Sequence, residues 1–257
     1  MHYFEIKETA FGEGKPLICL PVTERTEPDV LRETQRLVQM QAQVIEWRVD
    51  AYENSDDWNA IRQLLKAMAP LIEKTPFIFT FRSKEQGGMG SLTEEQISDL
   101  HQIAAESHVV DFVDVEFFQM KNPNKEIKML QDMGVRVIAS HHDFNETPQP
   151  EIMQMLLQRM QESGADIVKL AVMPQTQEDV LALMLETNRF VQNYPKIPVV
   201  TMSMGTLGKV SRVSGELTGS CMTFGNPGAP SAPGQIEARE LAKILDVLHS
   251  SDLTEHA

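Results

Sequence analysis

Lys169 lies within a run of apolar residues, Ile167–Met173, and its type and position suit imine chemistry. Burial in such a segment, together with nearby cations such as Arg48 and Arg82, would disfavour the charged ammonium form of this lysine. A neutral amine can attack a carbonyl carbon and form a covalent imine. The sequence therefore predicts that Lys169 is a covalent catalyst.

His142 follows the preceding apolar segment, Val135–Ala139, and could move protons beside Lys169. A histidine side chain titrates near neutral pH and can both take and return a proton. The neighbouring His141 does not indicate a metal site, because successive strand residues point to opposite faces and the sequence has no complementary cluster of histidines and cysteines. We expect His142 to be a general acid/base, and a histidine that serves only packing is the alternative.

Polar side chains occupy every second position in three other apolar segments. These positions are Glu46, Arg48, Asp50, Thr80, Arg82, Asp114 and Glu116. Residues two apart in a strand share a face, and helices would cover the outside of a barrel, so these side chains should point inward. Buried charges need partners, so a purely structural layer of ion pairs, with Lys169 bound to Glu46 or Asp114, is the alternative.

Two segments near the carboxyl end of the chain could hold an anionic substrate. Arg212 follows the apolar segment that ends at Thr201–Gly205, and its planar guanidinium group matches a carboxylate. The segment Gly225–Gln235 is too long and too rich in proline and glycine for a simple connection, which predicts an active-site lid. An idle surface loop would have a similar composition.

Eight short apolar segments alternate with helical patterns along most of the chain. The apolar segments are Leu17–Val22, Val44–Val49, Phe77–Phe81, Phe112–Phe118, Val135–Ala139, Ile167–Met173, Ile197–Met204 and Met222–Phe224. The helical patterns cover Asp29–Gln41, Asp56–Leu71, Thr93–Ser107, Asn124–Met133, Pro150–Ser163, Thr176–Gln192 and Gly234–His249. Strand followed by helix, repeated, predicts a parallel sheet.

Eight such units in about 250 residues have the size of a (β/α)8 barrel. A doubly wound open sheet is the alternative, because the pattern alone does not show whether the sheet closes. Residues 1–16 alternate weakly and include Gly12 and Gly14, so we predict a β-hairpin that closes the bottom of the barrel. The length of 257 residues predicts one domain, 1–257.

The composition limits the kinds of partner that the protein can bind and indicates its cellular compartment. The formal net charge of −14 disfavours binding to nucleic acid or to anionic membranes. No stretch reaches the roughly 20 apolar residues of a membrane span. Cys19 and Cys221, each in an apolar setting, are expected to be buried thiols in a reducing cytoplasm.

The polar segments together resemble the type I dehydroquinase family. The resemblance runs in order along nearly the whole chain, through Glu46–Asp50, Thr80–Arg82, Ser140–Phe144, Lys169–Met173, Thr201–Gly205, Ser211-Arg212 and Ser231–Gln235. It implies a Schiff-base lysine at Lys169 and a proton-transfer histidine at His142. It also implies substrate contacts from Glu46, Arg48, Arg82, Arg212, Ser231 and Gln235.

The resemblance further implies a (β/α)8 barrel that forms homodimers, uses no metal or organic cofactor, and serves the shikimate pathway. The implied substrate is 3-dehydroquinate, and the products are 3-dehydroshikimate and water. A class I aldolase would also use a barrel lysine, but a phosphorylated substrate would need a glycine-rich cradle where this chain has Ser231 and prolines. A barrel that binds a carboxylate without turnover is a third possibility.

One position departs from the family pattern. Many relatives have a glutamate where this chain has Gln86, before a pair of glycines, and that acid is thought to support the histidine. Glu85 is one position away and would face elsewhere in an extended segment. Asp114 could help instead, so the sequence leaves the partner of His142 open.

Overall fold

The structure is a computed structural model that describes residues 3–12, 14–194 and 197–249. The strands are β1 (Phe4–Ile6), β2 (Thr9–Phe11), β3 (Leu17–Val22), β4 (Val44–Arg48), β5 (Phe77–Thr80), β6 (Phe112–Glu116), β7 (Arg136–Asp143), β8 (Ile167–Val172), β9 (Val199–Ser203) and β10 (Met222–Phe224). The helices are α1 (Glu27–Gln39), α2 (Trp58–Met68), α3 (Glu94–Glu106), α4 (Pro123–Asp132), α5 (Pro150–Glu162), α6 (Gln177–Asn193), α7 (Lys209–Val213), α8 (Gly215–Thr218) and α9 (Ala238–Leu248). Short 3-10 turns at Val49–Ala51, Lys84–Gln86 and Phe117–Gln119 lie after β4, β5 and β6.

Eight parallel strands form a closed barrel. Strands β3 to β9 pair in chain order, and β10 pairs with β3. A parallel bridge between Val199 and Ser220 closes the ring, and the Cys221 N–H donates to the Val199 carbonyl at 2.8 Å. The predicted (β/α)8 barrel is confirmed, and the open-sheet alternative is wrong.

Strands β1 and β2 form an antiparallel hairpin against the amino-terminal ends of the barrel strands. The ring centroid of Phe11 lies 5.5 Å from that of Phe4 and 5.0 Å from that of Phe112, the first residue of β6. Phe11 is fully buried and packs with first residues of several other strands, among them Leu17. The predicted hairpin at the barrel bottom is therefore confirmed, while positions 1, 2 and 13 of the predicted range lie outside the described residues.

The faces of the strands follow the predicted alternation. Trp47, Phe79 and Val113 are fully buried in the core between the strands and the helices. On the other face, the Thr80 hydroxyl donates to the Glu46 carboxylate at 2.9 Å inside the barrel. Polar residues at alternate positions are thus carried to the barrel interior because their apolar neighbours pack outward.

Local signals define the helix ends. A capping box is present at the start of α3, where Thr93 accepts from the Gln96 N–H and the Gln96 side chain accepts from the Thr93 N–H. Within the described part of the chain, none of the helices is both long enough and apolar enough to cross a lipid bilayer.

Two boundaries differ from the prediction and change how the site is held. The predicted strand Val135–Ala139 continues to Asp143, because β7 goes on pairing with β8 although its side chains become polar. The segment around Arg212, for which no helix is predicted, contains the helices α7 and α8. His142 therefore lies on a strand and Arg212 on a helix, which fixes both side chains more firmly than a loop would.

Both cysteines are buried with free thiols, as predicted. Burial raises the pKa of Cys221 to about 12 and raises that of Cys19 well above its usual value. Neither thiol is suited to act as a nucleophile at neutral pH.

Candidate active site

One cavity at the carboxyl-terminal ends of the barrel strands collects the predicted site residues. Active sites of (β/α)8 barrels lie at this end. The cavity has a volume of about 520 Å³, counted out to its opening into solvent. All eight predicted residues line it, namely Glu46, Arg48, Arg82, His142, Lys169, Arg212, Ser231 and Gln235.

Lys169 extends from β8 into this cavity and is buried. Its Nζ lies 3.2 Å from Asp114 Oδ2 and 3.7 Å from Glu46 Oε1. Nζ also lies 4.4 Å from the ring centroid of Phe224, a cation–π distance. The nearest charges to Lys169 are thus two carboxylates, which is the pairing that the structural alternative predicted, while the same amine also faces the cavity.

Arg82 belongs to the same network of buried charges. Its guanidinium group lies 2.9 Å from Asp114 and 3.0 Å from Glu116, and it donates to the Ser140 hydroxyl at 3.1 Å. Burial alone would lower the pKa of Arg82, but Asp114 and Glu116 raise it. For the carboxyl group of Asp114 the directions are reversed. Burial would raise its pKa, but the charges of Arg82 and Lys169 outweigh burial and hold the pKa at about 2. The predicted layer of inward charges is therefore present, and Arg82 is paired with acids inside it.

Arg48 is paired locally. Its Nε and Nη2 donate to the two carboxylate oxygens of Asp50 at 2.8 and 2.7 Å. Asp50 also accepts from the backbone N–H groups of Arg82 and Met89. Asp50 therefore fixes the orientation of Arg48 at the cavity wall and ties β4 to the segment after β5.

His142 is held by Gln86. The Gln86 Oε1 atom lies 2.9 Å from the His142 backbone nitrogen, which can only donate, and 2.9 Å from the Nδ1 atom of the ring. The backbone contact identifies Oε1 as an oxygen acceptor, so Nδ1 carries the proton. Asp114 makes no hydrogen bond to His142 within the described residues, so Gln86 and not Asp114 is the partner.

Burial and the neighbouring positive charges favour the neutral form of the His142 ring. Burial, and then the charges of Arg82, Lys169 and Arg48, lower the pKa of His142 well below its usual 6.5. With its proton on Nδ1, the neutral ring has a free lone pair on Nε2. His142 is therefore suited to take a proton from a molecule in the cavity.

We expect the acid limb of kcat/KM to lie well below pH 6.5. A histidine base works as the neutral ring, so with His142 in that role activity should persist below pH 6.5 and fall only as the pH drops through its lowered pKa. The substitution Gln86→Glu places a carboxylate beside Nδ1, which favours the imidazolium ion and should move the limb upward. Rate profiles and NMR titration of the ring in both proteins measure this, and a wild-type limb at 6.5 would contradict it.

The turn that carries Gln86 depends on a glycine. Gly87 ends the 3-10 turn at a φ of 79°, a left-handed conformation that favours glycine. A Cβ atom at Gly87 would lie 2.3 Å from the ring of Phe144. This close packing fixes the turn and so holds the Gln86 side chain against His142.

Arg212 has no acidic partner among the described residues. It is 1% exposed, and it forms no salt bridge within the described residues, whereas Arg48 and Arg82 are each paired with acids. Its Nη2 donates to the Pro233 carbonyl at 2.9 Å, and its Nε has no hydrogen-bond partner among the described residues. Burial lowers the pKa of Arg212 to about 10. A buried cation without a counter-ion is a ready site for a carboxylate.

The predicted lid lies against the cavity. Ser231 and Gln235 bind each other, with Gln235 Nε2 donating to Ser231 Oγ at 3.0 Å and the Ser231 N–H donating to Gln235 Oε1 at 2.8 Å. At Gly234, φ is 79° and a Cβ atom would lie 2.1 Å from the Gly205 carbonyl oxygen. This contact packs the lid segment directly on the end of β9.

Sequence reasoning missed two contributors to the site. The sequence pattern predicts that Phe224 is a core aromatic residue at the end of an apolar segment. Nothing in the sequence indicates its contact with Lys169. Gln86 was recognised only as a departure from the family pattern, and its bond to His142 depends on how the turn after β5 folds back.

His141 points away from this site, as the strand parity predicted. Its ring meets that of Phe118 edge to face, with centroids 5.2 Å apart. The two adjacent histidines therefore lie on opposite faces of β7: His142 lines the cavity, and His141 packs on Phe118.

Comparisons with known proteins identify the family of the chain. Residues 18–252 match the family model described as type I 3-dehydroquinase. A 3-dehydroquinate dehydratase from Klebsiella pneumoniae is 42% identical over 247 residues, which cover 95% of this chain and 97% of that protein.

Solved structures agree as well. The type I 3-dehydroquinate dehydratase of Clostridium difficile has a TM-score of 0.93 at 38% identity, with 96% of this chain and 98% of that chain covered. The 3-dehydroquinate dehydratase of Geobacillus kaustophilus has a TM-score of 0.94 at 31% identity, with 98% of both chains covered. The barrel, the order of its polar segments and these matches lead to one conclusion: the chain belongs to the type I 3-dehydroquinase family.

Proposed function

We propose that this chain converts 3-dehydroquinate to 3-dehydroshikimate and water through a Schiff base on Lys169. The observation that carries the proposal is that one cavity brings together a buried amine, a histidine with a lowered pKa, and an arginine that has no acidic partner in the described part of the chain. The substrate has the three matching features: a ketone, an acidic C–H bond next to it, and a carboxylate.

Arg212 binds the substrate carboxylate. Its guanidinium group is the charge in the cavity that lacks a counter-ion among the described residues, so a carboxylate there gains a charge-assisted, two-pronged contact. Ser231 and Gln235 supply hydrogen-bonding groups from the lid for the ring hydroxyls. These contacts place the ketone beside Lys169, which converts binding energy into orientation.

Lys169 then forms the imine. The neutral amine adds to the ketone carbon to give a carbinolamine, which loses water to give a protonated imine. The positive imine nitrogen withdraws electrons and acidifies the adjacent C–H bond. No metal or organic cofactor is needed in this scheme, because the imine itself is the electron sink.

His142 carries the proton between the two halves of the elimination. Nε2 takes the proton from the carbon next to the imine, which leaves an enamine. The enamine pushes out the β-hydroxyl group, and the proton on His142 goes to that leaving group to form water. Hydrolysis of the remaining imine releases 3-dehydroshikimate and restores Lys169.

The direct test combines product analysis with imine trapping. The purified protein should convert 3-dehydroquinate to a product with a conjugated enone, seen as new ultraviolet absorbance, with no change in carbon count by mass spectrometry. Borohydride added with substrate should inactivate the protein and add the reduced ligand to Lys169. Carbon–carbon cleavage would instead indicate an aldolase, and binding without turnover would indicate an inactive barrel.

Arg212→Lys is expected to lower kcat/KM roughly 30-fold, or about 2 kcal/mol, because lysine keeps the charge but loses the planar fork. Steady-state kinetics with 3-dehydroquinate measure the effect. The matched control is Arg62→Lys on the exposed surface of α2, which should behave as the parent. Unchanged kinetics in Arg212→Lys would assign the carboxylate to another residue.

We further propose that the reaction serves the shikimate pathway and that the chain forms a homodimer, as the family resemblance implies. The cytoplasmic location remains a prediction from the use of cysteine. An apolar patch supports the dimer: Leu181 and Leu185 on α6 are 62% and 49% exposed, and Leu217 on α8 is 76% exposed. Asn188, on the same face of α6, donates to the Leu217 carbonyl at 3.3 Å, so the three leucines are neighbours.

The dimer is tested by a charge placed in this patch. Sedimentation equilibrium should give twice the chain mass for the parent, and the double variant Leu181→Glu with Leu217→Glu should shift the protein toward monomer, because two carboxylates would be buried against their copies. Met89→Glu is the control, since Met89 is exposed after β5, which lies across the eight-strand ring from β9. A parent monomer, or a variant as dimeric as the parent, contradicts the assignment of this patch.

A further inference from the structure

Two arginines hold the lid, one near each of its ends, by donating to proline carbonyls. Near the carboxyl end, Arg212 Nη2 donates to the Pro233 carbonyl at 2.9 Å, and the Gly205 N–H donates to the same oxygen at 3.2 Å. Near the amino end, Nη2 of Arg36, on α1, donates to the Pro227 carbonyl at 2.8 Å. We call these two arginine contacts the anchors of the lid.

Apart from the anchors, the lid is hydrogen-bonded to other segments only at its base, within the described residues. The Gly225 N–H donates to the Cys19 carbonyl of β3, and the Asn226 N–H donates to the Ile236 carbonyl. Residues 228–232 form hydrogen bonds only inside the lid, and residues 228–230 are exposed. The two anchors therefore fix where the tip of the lid lies.

Glu33 fixes the direction of the Arg36 side chain. The Nε and Nη2 atoms of Arg36 donate to the two carboxylate oxygens of Glu33 at 2.6 and 2.5 Å. This two-pronged contact holds the plane of the guanidinium group, so the bond to Pro227 forms with little further loss of side-chain entropy. Arg32, one turn earlier on α1, pairs with Asp29 but makes no hydrogen bond to the lid among the described residues.

The two anchors differ in their relation to the active site. Arg212 lines the cavity and, in the proposed function, also binds the substrate carboxylate. Arg36 is not among the described residues that line the cavity, so substrate does not compete for its contact with the lid. The Arg36 anchor is therefore available whether or not substrate is bound.

We propose that Arg36 is a positioning residue for substrate binding and that it acts through the lid. By holding Pro227, it keeps Ser231 and Gln235 over the cavity. Without this anchor the lid would sample more conformations, and ordering it on binding would cost conformational entropy. The effect on turnover rests on the proposed function, but the anchor itself is a property of the chain without substrate.

Hydrogen exchange measures the anchor in the absence of substrate. Arg36→Met keeps an unbranched side chain on α1 but removes every donor, so the lid amides should exchange about fivefold faster than in the parent. Arg36→Lys keeps a donor for the Pro227 carbonyl and should restore part of the protection. Arg32→Met is the matched control, since it also removes a paired arginine from α1, and its lid should exchange as the parent's does. Mass spectrometry of the lid peptide gives these rates.

Steady-state kinetics with 3-dehydroquinate measure the effect on binding. In Arg36→Met, KM should rise about fivefold and kcat should change less than about twofold, because the lid still closes at saturating substrate. A purely structural role would reduce the amount of active protein, which lowers kcat and leaves KM unchanged. Arg36→Lys should bring KM back toward the parent value, and Arg32→Met should behave as the parent.

A double-mutant cycle shows whether Arg36 acts through the lid. Ser231→Ala with Gln235→Ala removes the side chains that the lid presents to the cavity. Adding Arg36→Met to this pair should raise KM by less than about twofold, because the lid then has little left to position. The same substitution in the parent should have its full effect.

Three results would overturn the proposal: lid exchange in Arg36→Met equal to that of the parent, an unchanged KM in an active Arg36→Met protein, or a full rise of KM in the background that lacks both lid side chains. A parent protein that does not turn over 3-dehydroquinate would contradict the proposed function instead. In that case hydrogen exchange alone decides whether Arg36 anchors the lid.

Discussion

Lys169→Met is expected to abolish nearly all turnover of 3-dehydroquinate while leaving the barrel folded. Methionine fills a similar volume but has no amine, so no imine can form. The loss should be on the order of 10⁴-fold or more in kcat, the scale for removal of a covalent nucleophile. Asp114 keeps its ion pair with Arg82, 2.9 Å away, so this carboxylate still has a buried counter-ion.

The same variant separates the two interpretations of Lys169. If this lysine served only to neutralise Asp114 and Glu46, its loss would lower thermal stability and leave the rate nearly unchanged. The imine mechanism requires the opposite: little activity, a cooperative unfolding transition, and no mass increase after borohydride with substrate. Lys66→Met on the exposed face of α2 is the control and should be trapped as the parent is.

His142→Ala is expected to lower kcat by more than ~10²-fold while leaving imine formation intact. The groups closest to the Lys169 amine are Asp114 and Glu46, and the substitution changes neither. The ketone can therefore still be attacked. Removal of the C–H proton and departure of the hydroxyl group both lose their proton carrier, so the reaction should stop at the imine.

Intact-mass spectrometry after borohydride treatment measures this division of labour. Substrate should label Lys169 in His142→Ala, and the labelled peptide should carry the mass of the reduced substrate that has not lost its β-hydroxyl. His141→Ala is a close control, because that ring packs on Phe118 away from the cavity. A folded His142→Ala protein that gives no adduct would show that the histidine is also needed to form the imine.

The sequence was sufficient to predict most of the fold because strand parity and helix periodicity are local. Alternating polar residues around Trp47 and Phe79 already indicated which face of each strand turns inward. The eight apolar segments predicted the barrel strands closely, and Leu17–Val22 and Met222–Phe224 match their predicted ends. Polar residues at Ser140 and beyond hid the extension of β7, since pairing with β8 and not side-chain polarity continues that strand.

Local pattern also identified the residues that line the cavity, but it did not determine their partners. Closure of the sheet depends on pairing between the last strand, β10, and the first barrel strand, β3, together with the bridge between Val199 and Ser220. The residues of β10 and β3 lie near opposite ends of the chain, so no local pattern shows that they pair. The sequence argument put arginines beside Lys169, whereas the structure puts Asp114 and Glu46 nearest, because side chains from β4, β6 and β8 converge in one layer.

The tertiary structure alone decided two features of the chemistry. The fold of the turn around Gly87 makes Gln86 the partner of His142, and this contact fixes which ring nitrogen is free. The packing of α7 under the lid leaves Arg212 buried without an acid among the described residues. A sequence states which residues are available, but charge balance and proton position arise from distances between segments far apart in the chain, and only the folded barrel sets those distances.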